Sequence, residues 1–266
     1  MTPRRSKLAR RRSGLSPSGA RVYISLAAAV NGPFLNAGSR LQMDPAMPSL
    51  KLEPSQSLAQ KVASRLRQAI IEGEFPPGAV IAEEMLAQSF GISRTPVREA
   101  LNQLQLQGLV VIRPQVGSFV FSPDAGDIAM LCEFRAILEP QAARLAYRND
   151  RSGTLAELET VIGEMEKAVA AKDKVAYGRA DTAFHDAFVN HCGNRYVEDS
   201  YRLVAGRVAA LRTNYSAPID VQTPRSFKEH RAFVELFEKG DFEEFDRLMR
   251  IHVTDTAKTY TAALRL

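Results

Sequence analysis

The chain of 266 residues has no tryptophan, two cysteines and four histidines. Cys132 and Cys192 lie far apart in stretches that read as helices, which excludes a disulfide-stapled scaffold. They are expected to be reduced thiols in a cytoplasm, and secretion is disfavoured. No run of eighteen apolar residues occurs, so no transmembrane helix and no membrane partner are expected. Charge of one sign is scarce outside the N-terminus. The net +5 divides into +7 over residues 1–50, +1 over 51–122 and −3 over 123–266, so any nucleic-acid argument must rest on individual arginines. What remains, 45% hydrophobic and 24% charged, suffices for one or two cores, two domains being favoured.

Residues 1–50 open with Arg4, Arg5, Lys7, Arg10, Arg11 and Arg12 and continue through Gly, Ser, Pro and Ala without a sustained period. The expectation is a disordered basic extension. The apolar patch Val22 to Val30 is short for a targeting signal and lacks a convincing cleavage site. A start at Met43 or Met47 is the alternative, in which case the extension is no part of the protein.

From Ser57 the chain becomes periodic. Leu58, Val62, Leu66 and Ile70 define one amphipathic helix that Gly73 ends, and Ala82 to Phe90 supplies a second that Gly91 closes. In the next segment Ser93 is a suitable N-cap and Pro96 falls in the first helical turn. Val97, Ala100, Leu101 and Leu104 share the packing face, while Arg94, Arg98, Asn102 and Gln105 lie on another. Leu109–Ile112 and Ser118–Phe121 read as two strands, with Arg113 to Gly117 as the turn. Helix, helix-turn-helix and hairpin is the winged-helix order. Two guanidinium forks one turn apart suit guanine edges, and Ser93 and Thr95 can donate to phosphates. Arg113 and Gly117 of the wing become secondary contacts. The alternative is a solvated helix face on which Arg98 pairs with neighbouring acids.

The string Phe90-Gly91-Ile92-Ser93-Arg94-Thr95-Pro96-Val97-Arg98-Glu99-Ala100-Leu101, with Leu86-Ala87 before it and Leu104, Gly108-Leu109 and Gly117 after it, resembles the DNA-binding domain of the GntR family of bacterial transcription regulators. The resemblance covers 57–121. It implies that Arg94, Thr95 and Arg98 contact DNA and that the wing glycine region contributes. One class of members carries a further arginine in the second helix. Glu84 stands there in this chain, so that contact is not carried over.

Between Asp124 and Leu266 the periods are helical, giving about six helices over 124–149, 153–171, 173–192, 195–215, 224–239 and 241–263. The fold class is therefore mainly α: a winged helix-turn-helix over 51–122 and an all-helical bundle over 123–266. Asp181 and His185, one turn apart, sit at the edge of the stripe Tyr177, Ala180, Phe184 and Phe188, and the apolar residues around His230 and His252 place both rings inward. Three inward imidazoles and a carboxylate each need a partner in a medium that penalises lone polar groups. One shared divalent cation satisfies all four. The donor set suits Zn, Ni, Mn or Fe, with a lean to zinc. His191 has no inward register and is expected at the surface or as a cap.

Phe134-Arg135-x-x-Leu138-Glu139, Ala142-Ala143-x-Leu145-Ala146, Asp181-x-x-Phe184-His185, Glu229-His230, Gly240-Asp241 and Met249-x-x-His252 are similar to the FCD ligand-binding domain of FadR-type GntR regulators. The resemblance implies an Asp and three His as metal ligands, at Asp181, His185, His230 and His252. It also implies a small organic-acid or sugar-acid effector. Arg135 is the leading carboxylate partner and Arg207 a second, each with an ordinary salt bridge as the alternative. The functional expectation is a cytoplasmic homodimer on a palindromic double-stranded operator, a repressor and not an enzyme, controlled by the effector at the metal site. A purely structural metal and a metalloenzyme are the competing readings.

Overall fold

Ser57 starts a helix by closing a reciprocal cap: its hydroxyl accepts from the Gln60 amide at 3.2 Å and its own amide donates to Gln60 Oε1 at 2.8 Å. A cap of this kind is worth about 1 kcal/mol to the helix it starts. The structure, a computed structural model, describes residues 57–216 and 219–264. The extension over 1–50 lies outside the described residues, as do residues 217 and 218 between the helices expected over 195–215 and 224–239. Pro54–Leu266 groups as one compact unit. Its described residues form eight helices and three strands, and none of those helices is long and apolar enough to cross a membrane.

The N-terminal part contains α1 (Leu58–Ile71), β1 (Val80–Ile81), α2 (Glu83–Phe90), α3 (Arg94–Leu106), β2 (Val110–Arg113) and β3 (Gly117–Val120). Gly91 sits in the left-handed region at φ 65°, where a side chain would be strained, and turns α2 into α3. Val97, Leu101 and Leu104 are fully buried against Leu66, Ile70 and Leu109. The sheet order is β1-β3-β2, antiparallel throughout. Two sequence expectations are corrected. Arg113 and Gly117 are not turn residues but the last pair of the β2–β3 ladder, so the turn narrows to Pro114, Gln115 and Val116, with Gln115 at φ 62°. The strand β1 was not expected, because two residues are too few to show an alternating pattern; only pairing to Ser118 and Phe119 defines it.

The C-terminal part comprises α4 (Ala125–Ala171), α5 (Lys174–Asn190), α6 (Arg195–Asn214), α7 (Ile219–Lys239) and α8 (Phe242–Ala263). The two helices expected over 124–149 and 153–171 run together as α4, broken at Asp150 (φ −154°, ψ 65°) rather than at Gly153. Asp150 Oδ1 accepts from the Gly153 amide at 3.0 Å and so caps the second segment. Phe184, Phe188, Phe233, Phe237 and Phe245 fill the centre of the bundle. Helix α6 packs on both parts: Ala210 joins the N-terminal core, and Asn214 Nδ2 donates to the Ile70 carbonyl. A methyl group on Gly206 would come within 2.9 Å of the Leu109 side chain, so glycine sets that approach.

His191, expected at the surface or as a cap, is the C-cap residue of α5 and is mostly covered. Its Nδ1 lies 2.6 Å from Asp150 Oδ2 and its Nε2 2.8 Å from Glu157 Oε2, so it clamps both sides of the break in α4. Two carboxylates on one ring call for the imidazolium. Burial opposes that charge, but the hydrogen bonds to Asp150 and Glu157 outweigh it and raise the pKa. A raised folded-state pKa gives a contribution complete below the ordinary value of about 6.5 and lost as pH rises through the folded value. Urea unfolding is therefore expected to show His191→Ala destabilised by about 1 kcal/mol at pH about 5.5. The gap should narrow by pH about 8.5; a gap that is flat with pH would rule out the charged clamp.

Candidate metal centre

Asp181 and His185 project from α5, His230 from α7 and His252 from α8. One ligand atom from each lies within 4.8 Å of the others, and all four residues are buried. The second nitrogen is hydrogen-bonded in His230 and His252 and faces a carboxylate in His185. His230 Nδ1 is 2.7 Å from the Ser226 carbonyl, which can only accept. His252 Nδ1 is 2.8 Å from Glu229 Oε2, and Glu139 Oε2 lies 2.9 Å from His185 Nδ1, off the line of its N–H. Arg135 Nη2 donates to His185 Nε2 at 3.2 Å, which fixes that nitrogen as the one with the lone pair. Burial pushes His185 down to about 3 and lowers His252 as well, so both rings are neutral at physiological pH.

These tautomers aim three Nε2 lone pairs inward, the arrangement in which an outer hydrogen bond orients a metal-binding imidazole. His230 Nε2 stands 3.0 Å from Asp181 Oδ1 and 3.4 Å from His185 Nε2. With Nδ1 carrying the ring proton, lone pairs at those distances repel unless a proton or a cation lies among them. The donor set therefore fits a divalent cation, with His185, His230, His252 and Asp181 as the residues to hold it.

Three further buried charges, Arg135, Glu139 and Arg212, adjoin the donors. Arg135 Nε donates to Glu139 Oε1 at 2.7 Å, and Arg212 Nε lies 2.5 Å from Asp181 Oδ2. Burial alone would favour the neutral acids. The charge of Arg135 outweighs it at Glu139 and that of Arg212 does so at Asp181, so both carboxyls are held well below the usual range. Arg212 is 3% exposed, and among the described residues its Nη2 has no hydrogen-bond partner. A recess of about 50 Å³ between α7 and α8, lined by Arg225, Ser226, Glu229, His252 and Thr256, leads from the surface to His252.

Of the two arginines singled out for an effector, Arg135 is in this cluster but is neutralised by Glu139. Arg207 is not there. It lies against Gly108 at the end of α3, with Nη2 donating to the Leu203 carbonyl. Sequence reasoning missed Arg212, which shares a helix face with Val208 and Leu211 and could have been flagged by that register. It also gave no role to Glu139 and Glu229, although each adjoins a residue it did single out.

At the other end of the molecule, Ser93, Arg94, Thr95 and Arg98 are exposed on the first turns of α3, and Arg113 is exposed on β2 beside Gly117. Ser93 has the extended backbone of an N-cap but its hydroxyl makes no cap bond, contrary to expectation. Arg113 stacks over the Phe119 ring at 5.0 Å.

Residues 58–120 match the family model of the gntR family of bacterial regulatory proteins, and residues 130–255 match the FCD domain. The chain is 30% identical over 201 residues to an uncharacterized HTH-type transcriptional regulator in an unstable DNA locus of Streptomyces ambofaciens, covering 71% of this chain and 79% of that protein. It is 25% identical over 210 residues to the HTH-type transcriptional repressor RspR of Escherichia coli (strain K12), covering 79% and 91%. The solved structure of E. coli McbR/YncC shares the fold, with TM-score 0.70 at 20% identity, covering 78% of this chain and 99% of that one.

Elemental analysis of the purified protein is expected to find a divalent metal that His230→Ala loses, with affinity down by about tenfold or more. Equal metal content in the two proteins would count against the four-ligand centre.

Proposed function

Because the chain belongs to the GntR family, with a helix-turn-helix and an FCD domain that make it a DNA-binding transcriptional regulator, we propose that it is a repressor controlled by a small carboxylate effector at a divalent-metal site. The reader spans 51–122 and the sensor 123–266. The protein acts in the cytoplasm as a homodimer, whose two-fold symmetry places two readers on a palindromic operator. In each reader Arg94 and Arg98 meet base edges and phosphates. Ser93 and Thr95 donate to the backbone at the helix N-terminus, and Arg113 and Gly117 carry the wing.

In the sensor, Asp181, His185, His230 and His252 hold the cation, with zinc favoured by the His-rich set and Ni, Mn or Fe also compatible. A bound divalent ion supplies a Lewis-acid position for an organic-acid or sugar-acid carboxylate. The observation that carries the reading is the set of three buried imidazoles that gather beside Asp181, with the outer nitrogens of His230 and His252 hydrogen-bonded and that of His185 facing Glu139. Support for the anion comes from Arg212, whose buried Nη2 lacks an acceptor. Arg135 Nη2 is a further donor, spent on a ring nitrogen that metal binding would claim. Two buried guanidinium groups beside the same histidine cluster favour a carboxylate over a neutral ligand.

The test is a thermal-shift screen of small mono- and dicarboxylates, with and without chelator. A true effector at about 100 times its Kd adds about 2.7 kcal/mol. That corresponds to a Tm rise of about 5 °C or more for a chain of this size, and chelator should abolish it. A metal whose removal lowers Tm while no carboxylate raises it supports a structural ion instead. Arg212→Lys keeps the charge but loses the fork, and is expected to reduce the carboxylate shift by more than half. Arg207→Ala should leave that shift intact, and the opposite pattern would return the anion to Arg207.

A further inference from the structure

The two arginines on the exposed face of α3 do not extend freely into solvent. Arg98 donates from Nε to Glu83 Oε1 and Oε2 at 3.4 and 3.3 Å, and from Nη2 to Oε2 at 2.9 Å. Arg94 Nη2 lies 3.5 Å from the same Oε2, and its Nη1 lies 3.4 Å from Glu84 Oε2. The arginine side chains are 56% and 59% exposed, whereas Glu83 is only 24% exposed. Glu83 occupies the first turn of α2, where the free amides of a helix N-terminus favour a carboxylate. One largely covered acid thus holds the Nε/Nη2 edge of Arg98 and reaches Arg94 as well. No partner for Arg98 Nη1 is found among the described residues, so the Nη1/Nη2 end of its fork points away from the acid.

We propose that Glu83 is a positioning residue for sequence readout, fixing Arg98 and Arg94 so that they address base edges in preference to phosphates. The proposal rests on α3 being the helix that meets DNA. Its physical basis is twofold. A guanidinium gripped on its Nε/Nη2 edge retains its outer end for the two acceptors of a guanine, and it has already lost the rotamer freedom that a free arginine would give up on binding. A carboxylate beside the same guanidinium repels the phosphates on which sequence-independent binding depends. Glu83 therefore weakens non-specific association more than specific association and widens the ratio between them. The hydrogen bond from Arg98 also holds the Glu83 carboxyl below its ordinary range, so the buttress is charged at neutral pH.

The experiment uses the full chain. Sequences enriched from a random duplex library by the wild-type protein serve as the specific probe, and poly(dI-dC) duplex serves as the non-specific one. Glu83→Gln is expected to bind poly(dI-dC) about tenfold more tightly, with a salt dependence steeper by about one released counterion. It should lower the specific-to-non-specific ratio by about the same factor without a change in Tm. Arg98→Lys, which keeps the charge but has no Nε edge, should lose the ratio while holding its affinity for poly(dI-dC). If Glu83→Gln and Arg98→Lys both keep the wild-type ratio and salt slope while Arg98→Ala lowers the ratio, the positioning role is overturned. If Arg94→Ala and Arg98→Ala both leave enrichment and affinity unchanged, the assignment of α3 as the reading helix fails, and this proposal fails with it.

Discussion

Two buried ion pairs, Arg135 with Glu139 and Arg212 with Asp181, set the conditions for everything else in the helical bundle. Their four charges cancel, which is why a core lined with phenylalanine tolerates them. Removing any one member would leave a lone charge in the interior, at a cost of about 3–5 kcal/mol. The pairs also organise the histidines. Glu139 stands at the outer nitrogen of His185 and Arg135 at its inner one, while Asp181 faces His230. Because the four charges already sum to zero, an added divalent cation brings an excess that must be met from outside the quartet. Glu229, shared with Arg225, is a remaining acid that touches the cluster, through His252. That imbalance is the electrostatic reason a cation-loaded centre would favour an anionic ligand.

Much of this was legible in the sequence because the relevant elements are amphipathic. In α3 a single apolar face leaves only one place for Arg94 and Arg98. In α5, α7 and α8 the phenylalanines fix the rotation of each helix, and with it the inward direction of His185, His230 and His252. The same logic failed on α6 for a physical reason. That helix is covered on two sides, by the α1 and β2 region and by α5, so it has no single apolar stripe. Arg207 turns toward Gly108 and Arg212 toward Asp181. Register alone marks Arg212 as inward with Val208 and Leu211, but it does not say which of the two arginines reaches the histidine cluster.

The other departures share a cause, which is that long-range contacts decide them. Asp150 breaks α4 while carrying bonds to Gly153 and His191, so the break belongs to a tertiary clamp rather than to the nearby glycine. The strand β1 exists because β3 offers an edge. Ser93 has the right residue type and backbone for a cap, yet its hydroxyl stays free at the surface that faces outward with Arg94 and Arg98. Local propensity was sufficient where one helix met one core, and insufficient where an element served two neighbours.

Gly206 has a mechanical consequence. With no side chain there, α6 lies close enough for Leu109 to nestle against its backbone, while Ala210 and Asn214 rest on the N-terminal core and Arg212 grips Asp181. All four positions fall within little more than two turns of one uninterrupted helix, a span of about 12 Å at 1.5 Å per residue. A segment that short behaves as an axle rather than a spring. Any rotation or sliding imposed where Arg212 is held would be carried to Ala210 by continuous helix, with no break between them to absorb it.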